Sequence, residues 1–174
     1  MNPLNLVREE LNTVLRAIDP AVLTGLADHF ADRTQRWFVS GQGRSRLVAG
    51  MAAMRLMHIG FETHLVGEVT APSIGTGDAL LMLSASGETP VSLHLARRAA
   101  DAGAYVLAIS TKATSSLADI ANHVVVVPVI TTSQFGGSLF EQSSLLLLDA
   151  VVVELTHDNP GALDIMRQNH TNLE

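Results

Sequence analysis

Ala79-Leu-Leu-Met-Leu-Ser-Ala-Ser-Gly-Glu-Thr-Pro90 runs from an unbroken apolar stretch into a hydroxyl-rich turn and then into a proline. Apolar residues in succession, closed by turn residues, read as a strand buried on both faces, here Ala79 to Ser84. Proline is favoured at the first position of a helix and threonine at the cap before it, so a helix follows over Val91 to Ala102 with Thr89 as its cap. A strand that passes straight into a helix is the first half of a parallel β-α-β unit.

The same alternation extends in both directions. Upstream, Arg36 to Ser40 is short and apolar and enters a Gly-Gln-Gly turn, Ser45 to Met57 returns to helical spacing until Gly60, and Thr63 to Val66 reads as a strand. Downstream, Tyr105 to Ser110 is a strand, Ser115 to Ala121 a short helix, and Val124 to Pro128 a fifth strand. Strands separated by helical connections pair in parallel through right-handed crossovers, so the expected fold is α/β, a doubly wound five-stranded parallel sheet with helices at both ends of the chain. Residues 1–33 form an N-terminal helical extension broken at Asp19-Pro20, 34–130 the sheet core, and 138–174 a C-terminal helix and tail, all within one domain over 1–174. The helix from Ser138 to Thr156 is apolar nearly all the way round, which predicts burial on more than one side and hence a covering second subunit.

Composition fits this reading and narrows the function. The 174 residues are 47% hydrophobic and 4% aromatic, so aliphatic side chains build the core. The absence of cysteine excludes disulfides, thiolate metal sites and a cysteine nucleophile. A formal charge of −6 repels polyanions and argues against a nucleic-acid partner. Neither a leader-like opening nor a long uninterrupted apolar segment is present, so a cytoplasmic protein off the membrane is expected. Arg33, Arg36, Arg44, Arg46 and Arg55 crowd one stretch of this acidic chain and read either as solvated helix ends or as a local anion site.

Ligands of doubly wound sheets bind beyond the carboxyl ends of the strands, and two turns at that edge suit an anion. In Gly41-Gln-Gly43-Arg44-Ser45 the glycines let the backbone approach a ligand and the following helix offers free N–H groups. The third glycine of a dinucleotide fingerprint is missing, so no such cofactor is inferred. Ser84, Ser86, Gly87 and Thr89 form the stronger turn, because hydroxyls, free N–H groups and a helix dipole together make a phosphate cradle without metal or lysine.

These two turns resemble those of SIS (sugar isomerase) domains. Met54-Arg-Leu-Met-His-Ile-Gly-Phe61, Gly67-Glu68, Gly77-Asp78, Gly137-Ser-Leu-Phe-Glu-Gln142 and the ending His170-Thr-Asn-Leu-Glu174 resemble the 6-phospho-3-hexuloisomerase family in particular. The resemblance implies a flavodoxin-like SIS fold and a homotetramer without a metal or other cofactor. It implies interconversion of D-arabino-hex-3-ulose 6-phosphate and fructose 6-phosphate in formaldehyde fixation by the ribulose monophosphate pathway, with a functional link to hexulose-6-phosphate synthase. The chain departs from the family pattern at Asn169, where an arginine is expected, and in a shorter loop before Gly137.

Moving a carbonyl between adjacent carbons requires a base for a C–H proton and a donor for the enediolate oxygen. Two readings fit Glu141. It stands three residues after Ser138, the spacing of a capping box, and the resemblance makes it the catalytic base. His58, near the end of its helix, is either structural or, by the resemblance, the acid or ring-opening residue reaching a neighbouring subunit's site. Arg55, one turn away, is a candidate for the substrate's phosphate or hydroxyls. His64, His94, His123 and His157 have no metal-ligand spacing; Glu88 and Glu68 border the turns. Another phosphosugar isomerase of the same class and a non-catalytic sugar-phosphate sensor are the alternative functions, and a sensor has no need of a base.

Overall fold

The computed structural model describes residues 2–173. Helices α1 (Pro3–Ala17) and α2 (Pro20–Asp28) each begin on a proline, with the Asn2 and Asp19 side chains accepting from the Leu4 and Ala21 amides at 2.9 and 2.8 Å. The break at Asp19-Pro20 is thus a cap followed by a first-turn proline, which starts the second helix. Then come β1 (Trp37–Gly41), α3 (Arg44–His58), β2 (Thr63–Leu65), β3 (Ala79–Leu83), α4 (Pro90–Asp101), β4 (Tyr105–Ser110), β5 (His123–Val126), α5 (Ser138–Thr156) and α6 (Ala162–Asn169).

All pairings are parallel and the strand order is β2-β1-β3-β4-β5. That is the expected doubly wound sheet, and the order reverses between β1 and β3. Every residue of β1 and β3 is buried. Their side chains divide by parity: Trp37, Val39, Leu81 and Leu83 face the layer of α1, α2, α3 and α5, whereas Phe38, Leu80 and Met82 face Ala96 and Ala99 of α4 and Leu117. Ala49, Ala52 and Ala53 lie on the buried face of α3, and such small side chains let a helix sit close to the sheet.

Four sequence expectations change. Residues 116–120 form successive turns, not a regular helix: Asp119 N to Ser115 O and Ala121 N to Leu117 O have helical spacing but Ile120 N also turns back to Leu117 O, while the Ser116 and Leu117 amides donate to Glu88 and to Gly87 O. Helix α6, whose Ala162 is buried, is an element the periodicity reading left inside the tail. The apolar girth of α5 is largely covered by α1, α2 and α3 of the same chain, which leaves Leu146 and Val153 as its exposed large apolar side chains. A second subunit is therefore not needed to explain most of that helix.

The arginine-rich stretch is also dispersed. Arg33 stacks its guanidinium over Phe61 and donates to Ile59 O, Arg46 pairs with Glu68, and Arg55 lies 4.0 Å from Asp149. Arg36 makes a bidentate pair with Asp78 (Nε to Oδ1 and Nη2 to Oδ2, both 2.8 Å) at the amino ends of β1 and β3, opposite the expected ligand edge.

Asp78 is buried and also accepts from the Gly75 amide at 2.8 Å. Burial works against its charge, but Arg36 and the Gly75 amide outweigh it and hold the carboxyl below its ordinary 3.8. Asp78→Ala is expected to cost about 1.5–3 kcal/mol in urea unfolding, the scale of a hydrogen bond to a charged group, with turnover unchanged because the ligand edge lies at the far end of the strands. With a lowered folded value, the Asp78 contribution is complete above the ordinary 3.8 and fades as pH falls through the folded value. The difference between wild type and variant should therefore shrink in strong acid.

Candidate active site

At the carboxyl end of β1 the chain turns through Gly41 and Gly43 into α3. A Cβ on Gly41 would stand 2.7 Å from the Ser45 carbonyl carbon, so the turn closes on itself only with glycine there, and Ser45 is buried beneath it. Gly43 caps α3 without a side chain, so no side chain occupies the first amides of that helix, and the Arg46 amide turns back to Gly43 O at 3.1 Å. Arg44 leads from this turn, its side chain 63% exposed.

At the carboxyl end of β3 the cradle is built and braced. Ser84 is buried, and its hydroxyl lies 3.5 Å from the Thr89 hydroxyl. Thr89 occupies the cap position of α4, as the Thr-Pro pair predicts, yet its side chain makes no capping bond. The turn is held from β4: Ser110 Oγ and Thr111 Oγ1 donate to Ala85 O at 3.2 and 2.8 Å, and the Thr111 amide donates to it as well. Ser86 is exposed and accepts from the Glu88 amide at 3.1 Å. Glu88 accepts from the Ser116 amide at 2.8 Å, and that bond holds its carboxyl below the ordinary range. Its place in the structure is therefore to fasten the turn from outside. Ser110, Thr111, Ser115 and Ser116 are the supports that sequence reasoning missed; a run of small hydroxyl residues after β4 was their only signal.

Glu141, on the first turn of α5, comes to the same edge. It is buried, and Oε2 accepts from Arg44 Nε at 2.5 Å. The capping-box geometry is not formed: Gly137 is the cap of α5, Ser138 Oγ donates to Phe135 O, and the glutamate reaches across to α3 instead of back to its own helix. Gly137 lies between this carboxylate and the cradle, since a Cβ there would stand 3.4 Å from Glu141 Oε1 and 4.0 Å from Ala85 Cβ. Arg44, Leu47, Val48, Met51, Glu141, Gln142 and Leu145 line a groove of about 230 Å³ between α3 and α5.

His58 and Arg55 are not brought to this place. Fourteen residues of α3 separate Arg44 from His58, roughly 21 Å at helical rise, and Arg55 sits only one turn closer. His58 is buried with its ring stacked on His170 at a centroid distance of 5.2 Å, and Asn169 Nδ2 donates to His58 O at 3.1 Å. Burial first, then the His170 ring and Arg55, hold His58 below the ordinary imidazole value. Glu68 borders the edge through its pair with Arg46.

Residues 29–153 match the family described as the SIS domain. Over 99% of its length the chain is 38% identical to a 3-hexulose-6-phosphate isomerase of Mycobacterium gastri, covering 90% of that protein. It is likewise 38% identical to a 3-hexulose-6-phosphate isomerase of Bacillus subtilis, over 86% of this chain and 85% of that one. A crystal structure from Methanococcus jannaschii, for which a molecular function of 3-hexulose-6-phosphate isomerase was inferred, superposes over the full length of both chains with a TM-score of 0.87 at 28% identity. No described helix is long and apolar enough to cross a membrane.

Gly87 tests the cradle most directly. Its φ is +68°, and an added Cβ would stand 2.2 Å from Ser115 Oγ. Gly87→Ala should lower the calorimetric affinity for a hexose phosphate by tenfold or more, on the order of one hydrogen bond to a charged group. Adding Ser115→Gly should restore only part of it, because the left-handed backbone still disfavours a side chain. Ser86→Ala and Thr89→Ala should each weaken the same binding by roughly ten- to a hundredfold.

Proposed function

The chain belongs to the SIS domain family, and from that premise we propose that it acts as a 3-hexulose-6-phosphate isomerase. It interconverts D-arabino-hex-3-ulose 6-phosphate and fructose 6-phosphate. The observation that carries the mechanism is the buried Glu141 carboxylate, set beside the hydroxyl-lined cradle across a single glycine.

The phosphate rests on Ser84, Ser86, Gly87 and Thr89, where the free amides and dipole of α4 add to the hydroxyls. Gly41, Gly43 and Ser45 shape the adjoining wall at the start of α3. With the phosphate fixed, the reacting carbons lie toward Glu141. The carboxylate takes the proton on C2 of the hex-3-ulose, the C–H electron pair forms the C2=C3 bond, and the C3 oxygen gains a proton from solvent water to give the cis-enediol. Water takes one back from the C2 hydroxyl in the second half-reaction. Glu141 then returns its proton to C3 while the C2 hydroxyl gives up its own, leaving the carbonyl on C2. One carboxyl group serves both half-reactions, and general base catalysis of this kind contributes about 10²–10⁴-fold.

Arg44 aims the carboxylate. Because its side chain is largely exposed, the pair adds little to stability. Its worth lies in orientation, and the guanidinium can turn to a substrate oxygen as the sugar enters. His58 and Arg55 act, in this proposal, at the site of a neighbouring copy in a homotetramer. Leu47, Met51 and Met54 of α3, with Leu146 and Val153 of α5, are exposed apolar side chains that such a copy would cover.

Glu141→Gln keeps the size and packing of the side chain but cannot accept a carbon-bound proton. The expected result is a kcat loss of at least about a hundredfold with hexose phosphate binding retained. Normal turnover would end the assignment of the base. His58→Ala should also be impaired, and mixed oligomers of the Glu141→Gln and His58→Ala proteins should regain activity, since some sites then combine an intact residue from each chain. Mixtures as inactive as their components would remove His58 from the neighbour's site.

A further inference from the structure

The loop that delivers α5 has little hold of its own. Between β5 and α5, its main-chain bonds among the described residues are Val127 N to Ser110 O beside the strand, Val129 N to Val127 O, Ser138 N to Phe135 O and the helical bond from Glu141 N to Gly137 O, and within 131–134 the Gln134 amide donates to Thr132 Oγ1 at 3.0 Å. Residues 131–134 are instead held from outside by one carboxylate of the N-terminal helix. Glu10 Oε1 accepts from the Ser133 amide at 2.6 Å, and Oε2 accepts from Thr132 Oγ1 at 2.8 Å and from Gln134 Nε2 at 3.0 Å. The Ser133 amide first, then the Gln134 and Thr132 side chains, hold the Glu10 carboxyl below the ordinary range.

Val14 and Leu139 pack into the shared core beneath, but around the loop itself the packing is open. A cavity of about 420 Å³ lies between α1 and the strand β5 to α5 connection, lined among others by Leu6, Thr13, Val14, Ile130 and Leu139. The hydrogen bonds bridge the two segments beside that space. From Gln134 the connection continues inward: its Oε1 accepts from Gln142 Nε2 at 3.0 Å. Gln142 follows Glu141 directly and lines the same groove beside Arg44.

We infer that Glu10 is a positioning residue for the isomerase reaction, fixing loop 131–137 and, through Gln134 and Gln142, the first turn of α5 that carries Glu141. This rests on the reading of Glu141 as the base. Glu10 touches no reacting atom; it acts by limiting the drift of the helix end. A proton transfer from carbon is sensitive to such drift, since a misplacement of about 1 Å arising far from the chemistry can cost about a hundredfold.

The test uses the full chain with Glu10→Ala, Glu10→Gln, Glu141→Gln and the double variant Glu10→Ala/Glu141→Gln. Glu10→Ala should lose about tenfold or more in kcat with KM changed by no more than about twofold, because the cradle is fastened from β4 and not from this loop. Glu10→Gln, which keeps an acceptor for the Ser133 amide, should fall between Glu10→Ala and wild type. In the Glu141→Gln background, Glu10→Ala should cost less than about twofold further, as expected of a residue that acts only through that base. A purely structural residue would give the same loss in both backgrounds, and that result overturns the inference. So does a change confined to KM. Wild-type kcat in Glu10→Ala beside an inactive Glu141→Gln sinks this inference alone, whereas an active Glu141→Gln sinks the base assignment and this inference together. If Glu10→Ala does not fold, Gln134→Ala, which cuts the bonds to both Glu10 and Gln142, must meet the same criteria.

Discussion

Strands buried on both faces constrain everything else in this chain. β1 and β3 are wholly buried, and β4 is buried beyond Tyr105, so no polar side chain can project from the middle of the sheet without losing water. Polar chemistry is pushed to the strand ends. Because the strands are parallel, those ends are of two kinds. The amino ends carry the structural pair of Arg36 and Asp78, and the carboxyl ends carry Gly41 to Ser45, Ser84 to Thr89 and Ser110 to Ser116. Reversal of strand order between β1 and β3 separates α3 from α4 and opens the crevice between their turns.

Within that crevice the burden is unevenly distributed. The cradle is over-determined: Ala85 O accepts from three donors, Glu88 fastens the Ser116 amide, and Gly87 fits against Ser115 with no room for a methyl group. Such rigidity suits the proposed phosphate site, since the ligand's charge is fixed and its oxygens must be met together. Glu141 is held differently, by one exposed arginine and by a loop with few bonds of its own. In the proposed role, a base that meets two carbons in turn has use for a side chain that can be released from its partner. The outcome is a rigid turn beside a more lightly held carboxylate.

The N-terminal helices acquire a role from the same geometry. α2 and the buried face of α1 cover α5 and replace part of the surface that an all-round apolar helix would otherwise take from another subunit. α1 also sends Glu10 to a loop more than a hundred residues away in sequence. An extension that looks separable from the sheet is in this way connected to the end of the helix that carries Glu141.

The strands, the order of helix and strand, and the two anion turns could be read from local pattern, because each depends on neighbours within a few residues: apolar runs for β3, proline after a cap for α4, glycines before α3. The family resemblance added the reaction and drew attention to Glu141. Local pattern misled where a residue's partner was distant. Ser138 and Glu141 have capping-box spacing, but Arg44 offers the glutamate a charged donor and wins; Thr89 stands at a cap without capping; five clustered arginines disperse to five environments, because a strand and a helix intervene between them. The separation of His58 from Glu141 could not be read from motifs at all, since it follows from the length of α3 and the side of the sheet edge on which each end lies. Sequence periodicity thus determined the elements and the chemistry available at their ends, and the tertiary structure alone decided which of those ends meet, because hydrogen-bond and ion-pair partners are chosen by distance in space and not along the chain.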